Sequence, residues 1–398
     1  MSNQPVIVAA KRTPIGKFFG AFSRVPSPQI GAFAIEAALS EAPAAKDLVD
    51  ECVMGCVLQA GLGQNPARQA ALKAGMPTTL SAKTINKVCG SGLEAVMMAA
   101  QSIKAGDNHC VIAGGMENMT AAPHFAHVRQ GVKYGSGTME DHMAYDGLRC
   151  AFECWPMGNA AEHIADKYGV TREEQDRFGA QSHVRAAAAW DAGHFDAEVV
   201  TLTGEQLGNR KVPGPEGGIQ RDEGIRVDST AEGLGKLRPA FSKDGSVTAG
   251  NASQISDGGA ATIVMSEAKA KEAGLEPLCK IVSYHTSGVD PKDIFAAPIE
   301  GIRGALEKAG WTGDDVDLFE INEAFAAQVL CNIGELKINE EKVNICGGGV
   351  ALGHPIGASG ARVLVTLIHQ LKRTGGKKGL AALCLGGGNA VAMCVEMC

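Results

Sequence analysis

Aromatic residues are scarce in this chain: tryptophan, tyrosine and phenylalanine together make up 5% of its 398 residues. Hydrophobic residues still reach 45%, and glycine is abundant at 51 positions. A core of small and branched aliphatics joined by tight turns fits those figures, and disorder does not. A basic excess is also missing. The formal net charge of −7 argues against a general nucleic-acid binder, which as a rule carries a surplus of lysine and arginine. Long uninterrupted apolar runs are absent too. The most apolar uncharged stretch, 379–395, is broken by glycines and Asn389, and reads as a buried strand-turn-strand, not a membrane span. The run Val6 to Ala10 is too short for a secretory core and reads as a first strand. Glu396-Met397-Cys398 matches no prenylation or peroxisomal signal. These readings predict a cytoplasmic protein without membrane or nucleic-acid partners. No Cys-x-x-Cys occurs among the 12 cysteines, which read as reduced thiols. The Cys52/Cys56 and Cys150/Cys154 pairs, with His124, His127 and His142 nearby, match no compact zinc finger, so no metal is expected.

What is present has a clear order. A chain this long predicts two or three domains, or a fused repeat. Strand-like Val6 to Ala9, helix-like Gln29 to Glu41, strand-like Glu51 to Gln59 and helix-like Pro66 to Ala74 open the sequence. Extended Ala82 to Val88, helical Ser91 to Ala105 and a strand over His109 to Ala113 follow. This βαβα alternation predicts an α/β layered domain with a largely parallel sheet. From about Asn118 to Asp244 the composition turns to charged residues, glycine and histidine. Two helices interrupt it, Met157 to Tyr168 and Thr171 to Asp191, the second opened by the capping box Thr171-Arg172-Glu173-Glu174. The last third returns to the first pattern: strands over Cys279 to Tyr284 and Leu318 to Ile321, and helices over Pro298 to Ala309, from Asn322, and over Ala361 to Leu371. Ser91-Gly92 and a helix, then Val111 to Gly115, parallel Ser359-Gly360 and a helix, then Leu383 to Gly387. The shared order points to duplicated halves whose loops meet where their strands end.

Four segments carry chemistry. Cys89 follows an extended run and precedes a helix, where the dipole and unpaired amides favour a thiolate. Gly90 and Gly92 beside it are expected to leave room for a substrate. His354 lies in the glycine-rich stretch Gly347 to Gly360; no Gly-Lys-Ser/Thr follows, which argues against a P-loop. Cys384 ends an apolar strand before Gly386-Gly387-Gly388, whose amides suit an oxyanion hole. Asn322 opens Asn322-Glu323-Ala324-Phe325. A cysteine before a helix or at a strand end is, on its own, as a rule a packing residue. Two thiols, an imidazole and a carboxamide, each beside glycines, point instead to nucleophilic chemistry on thioesters.

Along nearly its whole length the sequence resembles the thiolase family. The matching segments are Asn86 to Gly92, Val247 to Ser253, Asn322 to Ala326, Gly347 to Arg362 and Cys384 to Gly388. The resemblance implies two duplicated βαβαβαββ half-domains in a five-layered αβαβα arrangement, formed by 1–120 with 245–275 and by 276–398. An inserted loop domain, 121–244, would bind coenzyme A and mediate tetramerisation. It implies acylation of Cys89, with His354 taking its proton. Asn322 orients a water that completes one oxyanion hole, Cys384 exchanges a proton with the α-carbon or incoming thiol, and the amides of Cys89 and Gly386 form a second hole. The family's coenzyme A positions fall on Leu148, Met157, Arg226, Phe241, Ala249, Ser253, Ala324 and Phe325, with Arg226 facing the nucleotide phosphates and Ser253 the pantetheine. No resident cofactor is implied; coenzyme A is substrate and product. The implied reaction joins two acetyl-CoA into acetoacetyl-CoA and free coenzyme A, reversibly, in a homotetramer built as a dimer of dimers. The segment 122–148, with Met143 and Tyr145, resembles the short-chain subgroup. Longer-chain degradative members of fatty-acid β-oxidation are the near rival, and a non-catalytic acyl-CoA or lipid binder is the rival of another class. One departure stands out: Trp155-Pro156 precedes Met157-Gly158 where many short-chain members carry histidine.

Overall fold

The computed structural model describes residues 3–208 and 217–398. Its first half alternates β1 (Pro5–Arg12), the short β2 (Gly16–Lys17), α1 (Ser27–Glu41), β3 (Glu51–Gly55), α2 (Pro66–Lys73), β4 (Ser81–Ile85), α3 (Ser91–Ala105) and β5 (Cys110–Asn118). An excursion follows with a small ribbon, β6 (His124–Phe125) and β7 (Glu140–Asp141), and helices α4 (Met157–Tyr168), α5 (Arg172–Asp191) and α6 (Ala231–Gly235). The chain returns as β8 (Ser256–Ser266) and α7 (Glu267–Glu272). The second half runs β9 (Cys279–Gly288), α8 (Ala297–Ala309), β10 (Leu318–Ile321), α9 (Ala326–Leu336), α10 (Ser359–Thr374), β11 (Lys378–Leu385) and β12 (Asn389–Met397).

The duplication is visible in strand order. Outward from the centre, the first half pairs β1-β8-β5-β3-β4 and the second pairs β9-β12-β11-β10. A parallel bridge between Phe319 and Val343 stands where a fifth strand would extend the second. The halves join through β1 and β9, which pair antiparallel at Val6–Lys280 and Ile7–Cys279. The expected largely parallel sheet is corrected to a mixed one. Only β3 with β4, β3 with β5 and β10 with β11 run parallel among the named strands, while β8 and β12 lie antiparallel to their neighbours. The reason lies in the connections. β12 follows β11 through the tight turn Gly386–Gly388, so it must reverse direction, and antiparallel pairs need no helical crossover.

Layering follows from which faces are apolar. The α3 and α10 helices lie between the two halves, and Val96, Met97, Leu364 and Leu367 bury against strands of both. Ile35 and Ala38 of α1 and Ala67 and Ala70 of α2 cover the outer face of the first half. Ile302 of α8 and Val329 of α9 do the same for the second. The result is the five-layered αβαβα fold. Of the two middle-layer helices, α10 is the more enclosed: every residue from Ser359 to Leu371 is buried. Small residues let this layer close. A Cβ on Gly92 would fall 2.6 Å from the Ala361 nitrogen, and one on Gly360 would fall 2.3 Å from the Leu93 nitrogen.

The helix expected from Asn322 begins later. Ala326 opens α9, and Phe325 is extended (φ −147°, ψ 148°). Residues 322–325 cannot wind because their backbone is engaged elsewhere: Ser253 N donates to Ala324 O at 3.0 Å and Ala326 N to Asn251 O at 2.8 Å. Among the described residues no helix is long and apolar enough to cross a membrane.

Candidate active site

The nucleophile candidate sits on a strained turn. Between β4 and α3, Val88 adopts φ +47°, a left-handed conformation that costs a β-branched residue. Side chains hold it there: Val88 N donates to Asn86 Oδ1 at 2.9 Å, Lys87 N to Ser91 Oγ at 2.8 Å, and Ser91 Oγ to Val88 O at 2.6 Å. Cys89 is thereby presented immediately before Gly90, the N-cap of α3. The helix-dipole argument predicts a lowered thiol pKa; burial overrides it. Desolvation pushes Cys89 up to about 12, the N–H groups of Gly386 and of Cys89 itself offset part of this, and Glu117 adds to it. The resting group is a thiol that needs a base. The expectation for its glycines is also corrected. A Cβ on Gly90 would fall 2.1 Å from Leu385 Cδ2, so Gly90, like Gly92, makes room for the other half of the molecule and not for a substrate.

A candidate for that base comes from the other half. Gly353, at φ +114°, turns the chain so that His354 N reaches Gln254 O at 3.1 Å, and the imidazole is 6% exposed. Burial and the Arg362 cation push His354 down to about 3, so it is neutral. Its Nδ1 lies 2.6 Å from Ser359 Oγ. The Asn322 amide nitrogen sits 3.4 Å from both ring nitrogens, and Asn322 Oδ1 is buried without a protein partner. Cys384, at the end of β11, is buried; desolvation and the neighbouring Cys89 hold its thiol well above the usual range.

Cys89, His354, Cys384 and Gly386 line one cavity of about 1020 Å³. Its wall also contains Leu148, Met157, Arg226, Phe241, Ala249, Ser253, Ala324 and Phe325, so every predicted coenzyme A position borders the same space. Asn322 is the exception among the singled-out residues: it is fully buried and meets the imidazole without lining the cavity. The Phe325 ring packs edge-on against Phe241 and Phe295, at centroid distances of 6.2 Å and 5.2 Å. Arg226 N donates to His183 Nδ1 at 3.1 Å, tying its loop to α5. Pro156 is the N-cap of α4 and lines the cavity. Such size and apolar lining, with few polar groups converging, suit an extended small-molecule ligand.

Sequence reasoning missed Ser359 and Glu117. Ser359 stood in a motif already marked for His354, at a spacing that could have exposed it. Glu117 gave no local signal. Its buried carboxylate accepts Val57 N at 3.0 Å, Leu58 N at 3.2 Å and, across the two halves, Gly357 N at 2.9 Å. Desolvation, partly countered by those amides, raises it to about 7. Among the described residues, no three His, Cys, Asp or Glu side chains gather as a metal site would require.

Comparison with known proteins gives a consistent answer. Residues 5–268 match the family model "Thiolase, N-terminal domain", and residues 275–397 match "Thiolase, C-terminal domain". The chain is 51% identical over 392 residues to the acetyl-CoA acetyltransferase of Cupriavidus necator, covering 98% of each chain. It is 52% identical over 391 residues to the protein of the same name from Chromobacterium violaceum, again covering 98% of each. A crystal structure of the Bacillus anthracis acetyl-CoA acetyltransferase superposes with a TM-score of 0.94 at 43% identity, covering 100% of this chain and 99% of that one.

Proposed function

The chain belongs to the thiolase family, and from that premise we propose that it is an acetyl-CoA C-acetyltransferase. It condenses two acetyl-CoA into acetoacetyl-CoA and coenzyme A, and runs in reverse as a thiolysis. The observation that carries this reading is the single cavity whose floor holds two thiols and an imidazole and whose wall holds all the predicted coenzyme A contacts.

In the first half-reaction, His354 takes the Cys89 proton, the sulfur attacks the acetyl carbonyl, and coenzyme A leaves with that proton. The N–H groups of Cys89 and Gly386 stabilise the oxyanion; losing one such donor typically costs about 2.7–4 kcal/mol. In the second, Cys384 passes its thiol proton to His354 Nε2 and, as the thiolate, removes a proton from the methyl carbon of a second acetyl-CoA. The resulting enolate oxygen is held by the Nε2–H of the His354 imidazolium and by a water on Asn322, whose unpartnered Oδ1 suits that use. The enolate carbon attacks the acyl-cysteine, acetoacetyl-CoA is released, and the freed Cys89 sulfur takes the proton from His354 Nε2. Arg226 faces the nucleotide phosphates and Ser253 the pantetheine. The chain's own side chains supply the chemistry, without a resident cofactor.

Residues 1–120 with 245–275, and residues 276–398, form the half-domains; 121–244 is the loop domain for coenzyme A binding and tetramer assembly. The enzyme works in the cytoplasm, in short-chain acyl and fatty-acid metabolism, as a homotetramer. The short-chain preference is supported by the names of the relatives above. The test is intact-mass analysis after mixing with acetyl-CoA. An acetyl adduct on the wild type, absent in Cys89→Ala, is expected; an adduct of equal yield in both would overturn the assignment. Thiolysis of acetoacetyl-CoA should also exceed that of an eight-carbon 3-oxoacyl-CoA.

A further inference from the structure

We infer that Ser359 is the positioning residue that makes His354 a base, by fixing the proton of the imidazole on Nδ1. The inference rests on the reaction proposed above and on counting hydrogens. Ser359 Oγ lies 2.6 Å from His354 Nδ1 and 2.9 Å from the carbonyl oxygen of Pro355. Each contact at that length needs one hydrogen. The Pro355 carbonyl has none to give, so the single hydroxyl hydrogen of Ser359 points at it, the back-bond to residue i−4 that helical serines favour. The second hydrogen must then belong to Nδ1. With Nδ1 protonated and the ring neutral, the lone pair is on Nε2.

The surroundings leave this role to the hydroxyl. Among the described residues, no carboxylate is hydrogen-bonded to His354. Its ring neighbours within bonding distance are Ser359 Oγ and the Asn322 amide nitrogen, a donor that cannot accept Nδ1–H. Ser359 and His354 are both buried, so bulk water does not replace the hydroxyl. Ser359 is the first residue of α10, and the anchoring of that helix in the middle layer fixes the hydroxyl rigidly. During acylation, the proton moves from Cys89 Sγ to Nε2, giving a transient imidazolium whose Nδ1–H remains on Ser359. The same proton then passes from Nε2 to the departing coenzyme A sulfur. The ring returns to its starting tautomer, and Ser359 neither gains nor loses a proton.

Removing the acceptor leaves Nδ1–H buried and unpaired, so the neutral ring of Ser359→Ala should shift its proton to Nε2 and lose the lone pair. Rapid-quench measurement of the acetyl adduct from acetyl-CoA, with the full-length enzyme across pH, tests this. Acylation at neutral pH should fall about 10²-fold, the lower reach of general base catalysis. Its pH profile should change shape, climbing steadily toward alkaline pH as hydroxide replaces the lost base. Ser359→Thr, which keeps the hydroxyl, should restore most of the rate and the wild-type profile. An unchanged rate in Ser359→Ala, or a reduced rate with an unchanged profile, would overturn the inference and leave Ser359 a packing residue. If the alanine variant does not fold, Ser359→Cys, a weak acceptor of similar size, must show the same change; a wild-type profile there overturns it equally. A wild type that forms no Cys89 adduct refutes the proposed function instead, so the two failures are distinguishable.

Discussion

Two thiols share one cavity, and the proposed mechanism gives each different work. Cys89 meets the N–H groups of Gly386 and of its own backbone, the environment of an acyl carrier. Cys384 ends β11 beside it, and Cys384→Ser should still accept an acetyl group because His354 and the oxyanion donors remain. A hydroxyl is a far weaker acid than a thiol. Condensation and the exchange of acetyl-CoA methyl hydrogens with deuterium solvent should therefore fall together, by on the order of 10²–10⁴-fold. Near wild-type exchange in that variant would make another group the base. The pH behaviour of Cys89 gives a second expectation. With burial holding its thiol near 12, alkylation of the free enzyme by iodoacetamide should rise continuously between about pH 6 and 9. A plateau near neutrality would mean that a stable thiolate exists after all.

At the scale of elements, the site depends on how tightly the two halves approach. Gly92→Ala would gain up to about 1 kcal/mol of helix propensity, but its Cβ would meet the Ala361 backbone at 2.6 Å. Overpacking of a fixed backbone costs about 1–3 kcal/mol, so the variant should unfold at lower urea, and an unchanged midpoint would show that the helices can separate. Glu117, at the end of β5, ties the loop after β3 to the His354 loop. Its carboxyl is raised to about 7 in the folded protein, above the value of roughly 4.3 it has when unfolded. The folded state therefore holds the extra proton. The stability Glu117 contributes is fully present below about pH 4 and is lost as pH rises through about 7. Glu117→Gln keeps one acceptor but turns an amide NH2 against a backbone N–H, costing about 1–3 kcal/mol. It should also flatten the fall in urea midpoint between about pH 5 and 8; an unaltered slope would assign that fall to other groups.

For the whole molecule, the exposed apolar residues concentrate on the excursion between β6 and β7. Tyr134 is 98% exposed and Met139 70%, with Val128 and Val132 also open to solvent. Side chains of that kind, clustered on a segment without a core of its own, mark a contact surface. Closed symmetric assemblies are the usual outcome for soluble enzymes. Light scattering of the wild type should give a tetramer, and Tyr134→Ser with Met139→Ser should give a dimer that still acetylates Cys89. A double variant that remains tetrameric would remove the loop from the assembly.

What the sequence determined by itself was local or repetitive. The α3 helix begins at Ser91 and ends at Ala105 as its apolar spacing predicts, α4 matches its predicted bounds, and the Thr171 capping box forms. The repeated Ser-Gly-helix-strand order was legible because each copy carries the same hydrophobic periodicity, and the motifs around Cys89, His354 and Cys384 were legible because glycine beside a reactive side chain is a rare pattern. The tertiary structure decided what depends on distant partners. The mixed sheet arose from the return of β8 and β12, which strand spacing cannot register. Asn322–Phe325 stayed out of the helix because the 251–253 loop takes up hydrogen bonds there. The Cys89 thiol went up in pKa and not down, since desolvation by both halves outweighs one helix end. Gly92 and Gly360 proved to be contacts between helices hundreds of residues apart in sequence. Ser359 and Glu117 gained their roles only when folding brought an imidazole to one and a remote backbone amide to the other. Short-range patterns set the elements; burial and long-range hydrogen bonding, which exist only in the packed molecule, set the chemistry.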